Sequence, residues 1–276
     1  MTASAVRLEP LSRVSLVGLR FVDAALGSLV GSGLRVEAYP VGNPKRRVSG
    51  VQTPSGVFAF HGLPGMRELE FGTGDQAYWD GLVASPPLPR QRFVFEVQDA
   101  GGRFYPTRLE RDLPIRFRPD PAAPPQPGPV PLFSVPARPL PAGWLGVYGE
   151  LYQSSSEPAP WALLRVSGTG FAGSGVADPK GRVLVLLPYP DPGEALPVSP
   201  PGPWQWQASL GAALFPRLSP PGERERGWLE VDHLPSGFTA DIRADPGQPV
   251  LTQARLVEGS PHLQASGAPL KRLFLS

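Results

Sequence analysis

Proline and glycine interrupt this chain so often that long helices cannot form. The 276 residues include 38 prolines and 32 glycines, about a quarter of the sequence. Proline removes a backbone donor and clashes with the preceding turn of a helix, and glycine weakens a helix interior. Because 41% of the residues are hydrophobic, the chain has more apolar surface than a disordered sequence carries. We therefore expect an all-β protein with short strands and many turns.

Charge and cysteine content exclude several classes of function. The formal net charge is only +2, and the absence of cysteine excludes disulfides, thiolate metal ligands and thiol nucleophiles. The most basic stretch, Arg103 to Arg118, is interrupted by Glu110 and Asp112. Because nucleic-acid binding needs a concentrated basic surface, we expect no nucleic-acid partner.

The sequence also argues against export and membrane insertion. No apolar run approaches the ~18 residues that a membrane helix needs. Residues 1–10, MTASAVRLEP, lack the basic and apolar regions of a signal peptide. We therefore expect cytoplasmic synthesis and no membrane insertion.

A proline-rich segment divides the sequence into two halves. Residues 119–141 contain 10 prolines among 23 residues. Since proline cannot donate to a sheet ladder, we expect an extended polyproline II linker that lies along a domain surface. The predicted domains are 1–118, with an N-terminal arm over about 1–12, and 142–276.

The two halves share a short internal repeat. Residues 50–60 (GVQTPSGVFAF) align with 175–185 (GVADPKGRVLV) at an offset of 125 residues. Upstream, 34–36 (LRV) aligns with 164–166 (LRV) at an offset of 130 residues. A repeat of this length indicates a duplicated domain, because solenoid repeats have periods of ~20–50 residues.

Each copy of the repeat predicts a β-hairpin. Residues 53–56 (TPSG) and 178–181 (DPKG) have turn chemistry, in which proline presets φ and glycine closes the turn. Apolar side chains alternate after each turn, as in a half-buried strand. With the other short strand patterns, this predicts two β-sandwich domains related by internal duplication and joined by the proline-rich linker. The other predicted strands are 14–22, 34–39, 93–98, 161–167, 204–210, 227–231, 250–256 and 270–275.

The repeat resembles a known family. An apolar strand, the hairpin around Pro54 and Gly56, and the Leu63-Pro64 ending are similar to the carboxypeptidase regulatory-like, or transthyretin-like, β-sandwich. In the second half, 161–164 (WALL), 175–178 (GVAD) and 186–190 (LLPYP) resemble proteins encoded in contractile injection (phage-tail-like) gene clusters. The resemblance implies a structural part of a particle, with no catalytic residues to carry over. Residues 218–232 have no counterpart in it.

One stretch matches a dinucleotide-binding motif. Residues 168–173 (GTGFAG) read G-x-G-x-x-G after an apolar strand. A dinucleotide site needs a helix next, so that its N-terminus faces the pyrophosphate, whereas the turn at 178–181 follows here. We interpret the motif as strand, loop and strand, and we expect no cofactor.

Histidines offer little evidence for catalysis or metal binding. His61, His233 and His262 are far apart in sequence and match no local metal motif. Asp232 directly precedes His233 and is placed to orient it. A Ser-His-Asp catalytic triad assembled from residues far apart in sequence stays an open alternative, although no G-x-S-x-G motif is present. We predict no enzyme activity, no metal and no small-molecule substrate.

Candidate interface residues are aromatic and basic. They are Trp204, Trp206, Arg46, Arg47, Tyr78 and Trp79. The two tryptophans flank Gln205, so both indoles are predicted to point to the same side of a strand, where they either fill a core or form a binding surface. The two arginines are suited to bidentate pairs with acidic groups of a partner.

Three classes of function stay open. We predict a non-enzymatic structural or adaptor subunit that assembles with other protein subunits into a large particle of the phage-tail-like contractile injection kind. The alternative is a glycan-binding β-sandwich module that uses exposed tryptophans. The third class is an enzyme whose site the sequence does not reveal. Burial of both Trp204 and Trp206 would remove the main feature of the glycan hypothesis.

Overall fold

Short β-strands and turns make up the described chain. The structure is a computed structural model that describes residues 15, 17–66, 70, 90–114, 128–153, 157–190, 203–214, 227–236 and 238–276. Within these ranges there is no α-helix, and a 3₁₀ helix covers Val231–Ser236. The predicted all-β class is therefore confirmed. No helix in the described part of the chain is long and apolar enough to cross a membrane.

The strands follow one another along both halves. The first half and the proline-rich segment contain β1 (Val17–Leu19), β2 (Phe21–Asp23), β3 (Leu34–Pro40), β4 (Val48–Ser49), β5 (Val51–Gln52), β6 (Phe58–Phe60), β7 (Arg90–Asp99), β8 (Thr107–Pro114) and β9 (Val130–Leu132). The second half contains β10 (Trp144–Gln153), β11 (Leu163–Gly168), β12 (Phe171–Val176), β13 (Arg182–Pro188), β14 (Gln205–Leu214), β15 (Leu229–Glu230), β16 (Phe238–Ala240), β17 (Ile242–Arg243), β18 (Gln253–Val257), β19 (Gln264–Ala265), β20 (Ala268–Pro269) and β21 (Arg272–Leu275).

The first half forms two principal sheets around an aromatic core. One sheet has the order β1-β6-β5 and pairs Val17 with Phe60. The other has the order β4-β3-β7-β8 and places Glu37 opposite Glu96. Buried side chains of both sheets belong to one core, in which the rings of Phe60 and Phe95 meet edge to face with centroids 5.1 Å apart. This sandwich-like packing follows from the alternation of apolar residues along each strand.

The second half also contains two principal sheets, and several of its strands are longer. One sheet has the order β13-β10-β21-β17, and the other runs β12-β11-β14-β18-β19-β20. In β13 the side chains from Val183 to Leu187 are all buried. A continuous run of valine and leucine is typical of a strand covered on both faces: Val183, Val185 and Leu187 belong to the second core, and Leu184 and Leu186, on the other face, are also buried.

Strand pairing and core packing cross the predicted boundary between the halves. β15, from the second half, pairs in parallel with β8 and so extends the sheet of the first half. Leu229 and Val231 are buried in the core of the first half, together with Leu163 and Val176. The Tyr105 hydroxyl also donates to the Val176 carbonyl at 3.1 Å. The two halves are therefore in direct contact through hydrogen bonds and apolar side chains.

The described part of the proline-rich segment is packed against the first half. Residues 128–141 contain β9, which pairs in parallel with β2, and Val130 and Leu132 are buried in the first core. We expected this segment to stay out of a sheet interior, and among the described residues β9 has β2 as its one strand partner. Pro131 is tolerated because the bonds to β2 use other amides: Val130 N–H donates to Arg20 O, and Ala24 N–H donates to Leu132 O. Residues 119–127 lie outside the described ranges.

The two predicted turns have the same hydrogen bonds. Thr53 N–H donates to Val57 O and Gly56 N–H to Thr53 O; the corresponding bonds in the second half join Asp178 with Arg182 and Gly181 with Asp178, all at 2.8–2.9 Å. Gly56 and Gly181 both have positive φ, +75° and +81°, which explains why glycine occupies this position. The side chain of the first residue of each turn also accepts a backbone hydrogen bond. Thr53 Oγ1 accepts from Val57 N–H, and Asp178 Oδ1 accepts from Arg182 N–H.

Candidate functional site

A cleft lies between the two halves. Its volume is about 740 Å³, which is within the usual range for ligand pockets. The first half supplies one wall, and strands β10, β13 and β21 of the second half supply the other. The lining residues are Tyr105, Val135, Pro136, Ala137, Tyr148, Gly149, Glu150, Asp178, Arg182, Val183, His262, Lys271 and Arg272.

Three charged residues form a row across the second-half wall. β10 is the middle strand, antiparallel to β13 and parallel to β21, and Glu150 is paired with Arg182 on one side and with Arg272 on the other. Directly paired residues of adjacent strands share one face of a sheet. The Arg272 Nε atom is 3.4 Å from Glu150 Oε2. The wall therefore presents one carboxylate flanked by two guanidinium groups.

The turn at 178–181 fixes Arg182 in this row. Asp178 is buried, and its Oδ1 accepts the N–H groups of Lys180 and Arg182 at 2.8 and 2.9 Å. Its Oδ2 accepts from Arg182 Nε at 2.8 Å and forms an ion pair with Arg182 Nη2 at 2.6 Å. The carboxylate of Asp178 is thus fully engaged, while the Arg182 side chain remains 55% exposed.

Tyrosine and histidine complete the cleft. Burial raises the pKa of Tyr105 far above its usual range, with a further contribution from the charge of Asp178, so its hydroxyl stays protonated and donates to Val176. His262 Nδ1 lies 2.9 Å from the Tyr148 carbonyl oxygen. Because a carbonyl only accepts, Nδ1 carries the proton in this contact.

The cleft has the chemistry of anion recognition. Arg182, Lys271 and Arg272 supply three cations against the two carboxylates of Glu150 and Asp178. Guanidinium groups bind carboxylates through two parallel N–H donors. Among the described residues, no group of three or more histidine, aspartate or glutamate side chains is placed to hold a metal ion.

The two candidate tryptophans differ in burial. Trp206 is 2% exposed and packs in the second core, whereas Trp204, just before β14, is 41% exposed. The two indoles therefore neither both fill the core nor both lie on one binding surface. Trp204 instead lies near Tyr189, because Glu258 accepts from the Tyr189 hydroxyl at 2.6 Å and from Trp204 N–H at 3.3 Å. The hydrogen bond to Glu258 raises the pKa of Tyr189.

The two candidate arginines also differ. Arg47 Nη1 contacts Glu37 at 3.0 Å and Glu96 at 2.5 Å, and its guanidinium lies over the Tyr39 ring, 4.6 Å from the centroid. Its charge is therefore paired within the chain with two carboxylates. Arg46 is exposed. The other two candidates, Tyr78 and Trp79, lie outside the described residues.

The histidines whose side chains are described lie at separate places. His61 Nδ1 is 4.0 Å from the carboxylate of buried Glu70, while His262 lines the cleft. The side chain of His233 lies outside the described residues. The carboxylate of Asp232 accepts from Glu110 N–H at 2.8 Å and from Arg111 Nη1 at 2.5 Å.

The glycine motif is a hairpin turn. Gly168 pairs with Phe171 at the end of the β11–β12 hairpin, and Gly170 has a φ of +76°. The strand, loop and strand interpretation is therefore confirmed for 168–173.

Sequence reasoning missed the charged row of the cleft. The only local signal was the turn at 178–181, which fixes Arg182 but does not identify its neighbours. Glu150 and Arg272 are far apart in sequence, and only the pairing of β10 with β21 brings them together. No known family model, curated protein or solved structure matches this chain.

Proposed function

We propose that the chain is a non-enzymatic structural or adaptor subunit of a large protein assembly, of the phage-tail-like contractile injection kind. The observation that carries the proposal is the continuous contact between the halves. β15 extends the sheet of the first half, Asp232 pairs with Arg111, and Leu163 packs in the first core. A block of two joined halves is suited to hold neighbouring subunits at a fixed spacing, which a flexible tether would not do.

We also infer that the two halves arose by duplication of one β-sandwich of the carboxypeptidase regulatory-like kind. The order β4-β3-β7-β8 corresponds to β12-β11-β14-β18, with antiparallel pairing throughout. The pair Val17–Phe60 corresponds to Val147–Val185, at the same offsets of 130 and 125 residues as the sequence repeat. The shared turn hydrogen bonds support the same inference.

An exposed sheet edge supports a role in protein contacts. β5 is the last strand of the order β1-β6-β5, and Val51 on it is 59% exposed. Unpaired edges accept strands from partner proteins. Among the described residues, no strand pairs with the outer side of β5, so this edge is suited to a contact with a neighbouring subunit.

The test is the native size of the endogenous chain. Untagged lysate is sedimented, and the fractions that contain the chain are analysed by mass spectrometry. We expect the chain in megadalton fractions together with tube- or sheath-like proteins. A lysate from cells that lack the chain shows which companions depend on it. Recovery only as a free monomer of 29.5 kDa would contradict the proposal.

A second candidate function is glycan binding at the surface formed by Tyr189, Trp204 and Glu258. The observation that favours it is that both residues are exposed, Tyr189 by 40% and Trp204 by 41%, beside a carboxylate that can accept from sugar hydroxyls. Aromatic rings with a polar group at one end are suited to such contacts. On a glycan array, Trp204→Ala would abolish binding, while Arg165→Gln, an exposed change on β11, would not. Binding that survives Trp204→Ala would exclude this surface.

A further inference from the structure

The cleft between the halves gives the proposed assembly function a specific contact. Resting on that function, we propose that the cleft docks an extended acidic peptide segment of a partner protein. The row formed by Arg182, Glu150 and Arg272 would recognise its carboxylates, and the apolar wall would hold its intervening side chains.

The charges in the row favour an anionic occupant. Arg182 uses Nε and Nη2 on Asp178, and Arg272 directs Nε toward Glu150. An arginine has five N–H donors, so further donors remain on both guanidinium groups, whose side chains are 55% and 65% exposed. Lys271 lines the same cleft and is also exposed.

The remaining lining favours a polypeptide over a nucleic acid. Val135, Pro136 and Ala137 form an apolar wall that is exposed or half-buried, and alternate side chains of an extended peptide would pack against it. A phosphodiester chain would gain little from this apolar wall.

The position of the cleft links the occupant to both halves. Residues 135–137 and Tyr105 precede the second half, while Glu150, Arg182 and Arg272 belong to it. A ligand that touches both walls binds only the arrangement in which the halves are packed together. Its binding therefore stabilises the folded chain and raises its melting temperature.

The test measures peptide binding by the full-length chain. The probe is a fluorescein-labelled peptide that alternates leucine and aspartate, and its binding is measured by fluorescence anisotropy. The matched probe has asparagine in place of each aspartate. We expect the aspartate peptide to bind about tenfold more tightly, the effect of one charge-assisted hydrogen bond, and the difference to shrink in high salt. The double variant Lys271→Gln/Arg272→Gln should lose this preference, because it removes two of the three cations of the cleft. Both side chains are exposed and outside the core, so we expect the variant to fold.

A matched variant separates the cleft from general charge effects. Arg165→Gln removes one exposed cation from β11, outside the cleft, and should bind the aspartate peptide as the wild type does. Equal binding of both peptides, or an equal loss in Arg165→Gln, would overturn the proposal. Tighter binding of a labelled single-stranded oligonucleotide than of the aspartate peptide would overturn it in favour of nucleic acid. A chain that sediments as a monomer yet binds the peptide refutes the assembly function alone.

Discussion

At the scale of single residues, a buried ion pair fastens the proline-rich segment to the first half. Arg138 Nη2 lies 2.6 Å from Asp23 Oδ2, and Nη1 donates to Ser134 Oγ at 2.7 Å. Asp23 also accepts the N–H groups of Ala25 and Leu26. Both charged side chains are almost fully buried, so each depends on the other for compensation.

Arg138→Met should destabilise the chain strongly. It leaves the carboxylate of Asp23 buried without its cation, which costs about 3–5 kcal/mol in the free energy of unfolding. Urea unfolding followed by circular dichroism measures the change. Arg90→Met is the matched control, because the Arg90–Asp112 pair is more than half exposed and such pairs contribute about 1 kcal/mol or less. Equal losses in the two variants would contradict a special role for the buried pair.

The raised pKa of Tyr39 predicts that the stability of the folded chain depends on pH in alkaline solution. Burial raises its pKa to about 12, and the hydrogen bond to Glu96 acts in the same direction. The pKa of Tyr39 is higher in the folded chain than the usual value of about 10. The protonated hydroxyl therefore stabilises the folded chain fully below pH 10, and this contribution is lost as pH rises from 10 to 12. In a spectrophotometric titration, the difference in tyrosinate absorbance between the wild type and Tyr39→Phe should have its midpoint near pH 12. A midpoint near 10 would refute the effect.

At the scale of elements, β12 and β13 approach so closely that two glycines are required. A Cβ atom added to Gly173 would collide with the carbonyl oxygen of Leu186, and one added to Gly175 with that of Leu184. Both obstacles are backbone atoms, which cannot rotate away as a side chain does. The turn at 178–181 therefore joins two strands that pack against each other in different sheets, and the hairpin predicted here is not formed, whereas the turn at 53–56 joins the paired strands β5 and β6.

Gly175→Ala should cost about 1–3 kcal/mol of unfolding free energy, the usual range for overpacking in a core. Gly211→Ala, in β14, is the matched control, because its nearest neighbour would be Arg165 Cβ at 3.9 Å. Thermal and urea unfolding of both variants measure the difference. A loss in Gly211→Ala as large as in Gly175→Ala would show that the close approach is not the cause.

At the scale of the whole molecule, the shared contacts predict cooperative unfolding. Leu229 and Val231 pack in the core of the first half although they belong to the second, and β15 completes the edge of β8. Loss of either half removes apolar contacts from the other. Two domains on a flexible linker would instead unfold independently.

Differential scanning calorimetry should therefore show one transition for the full-length chain. Arg138→Met, which removes a buried ion pair beside the first core, should move that transition to lower temperature as a whole. A separate, earlier transition in this variant would show that the halves unfold separately.

The sequence by itself determined the class and the local elements. Its prolines and glycines excluded long helices, and the spacing of proline and glycine predicted both turns, because such positions depend only on backbone conformation within a few residues. The predicted strands 34–39 and 93–98 lie within β3 and β7. Strand β10 was missed because Gly146 and Gly149 interrupt its apolar pattern.

Only the tertiary structure decided how these elements combine. The pairing of β15 with β8, the insertion of Val130–Leu132 beside β2 and the row Arg182–Glu150–Arg272 join residues that are far apart in sequence. Such contacts depend on which buried surfaces fit together after the strands have formed, and alternation along one strand does not specify its partner. Trp204 and Trp206 likewise differ in burial although they are two positions apart in sequence, because burial depends on what packs against each side chain.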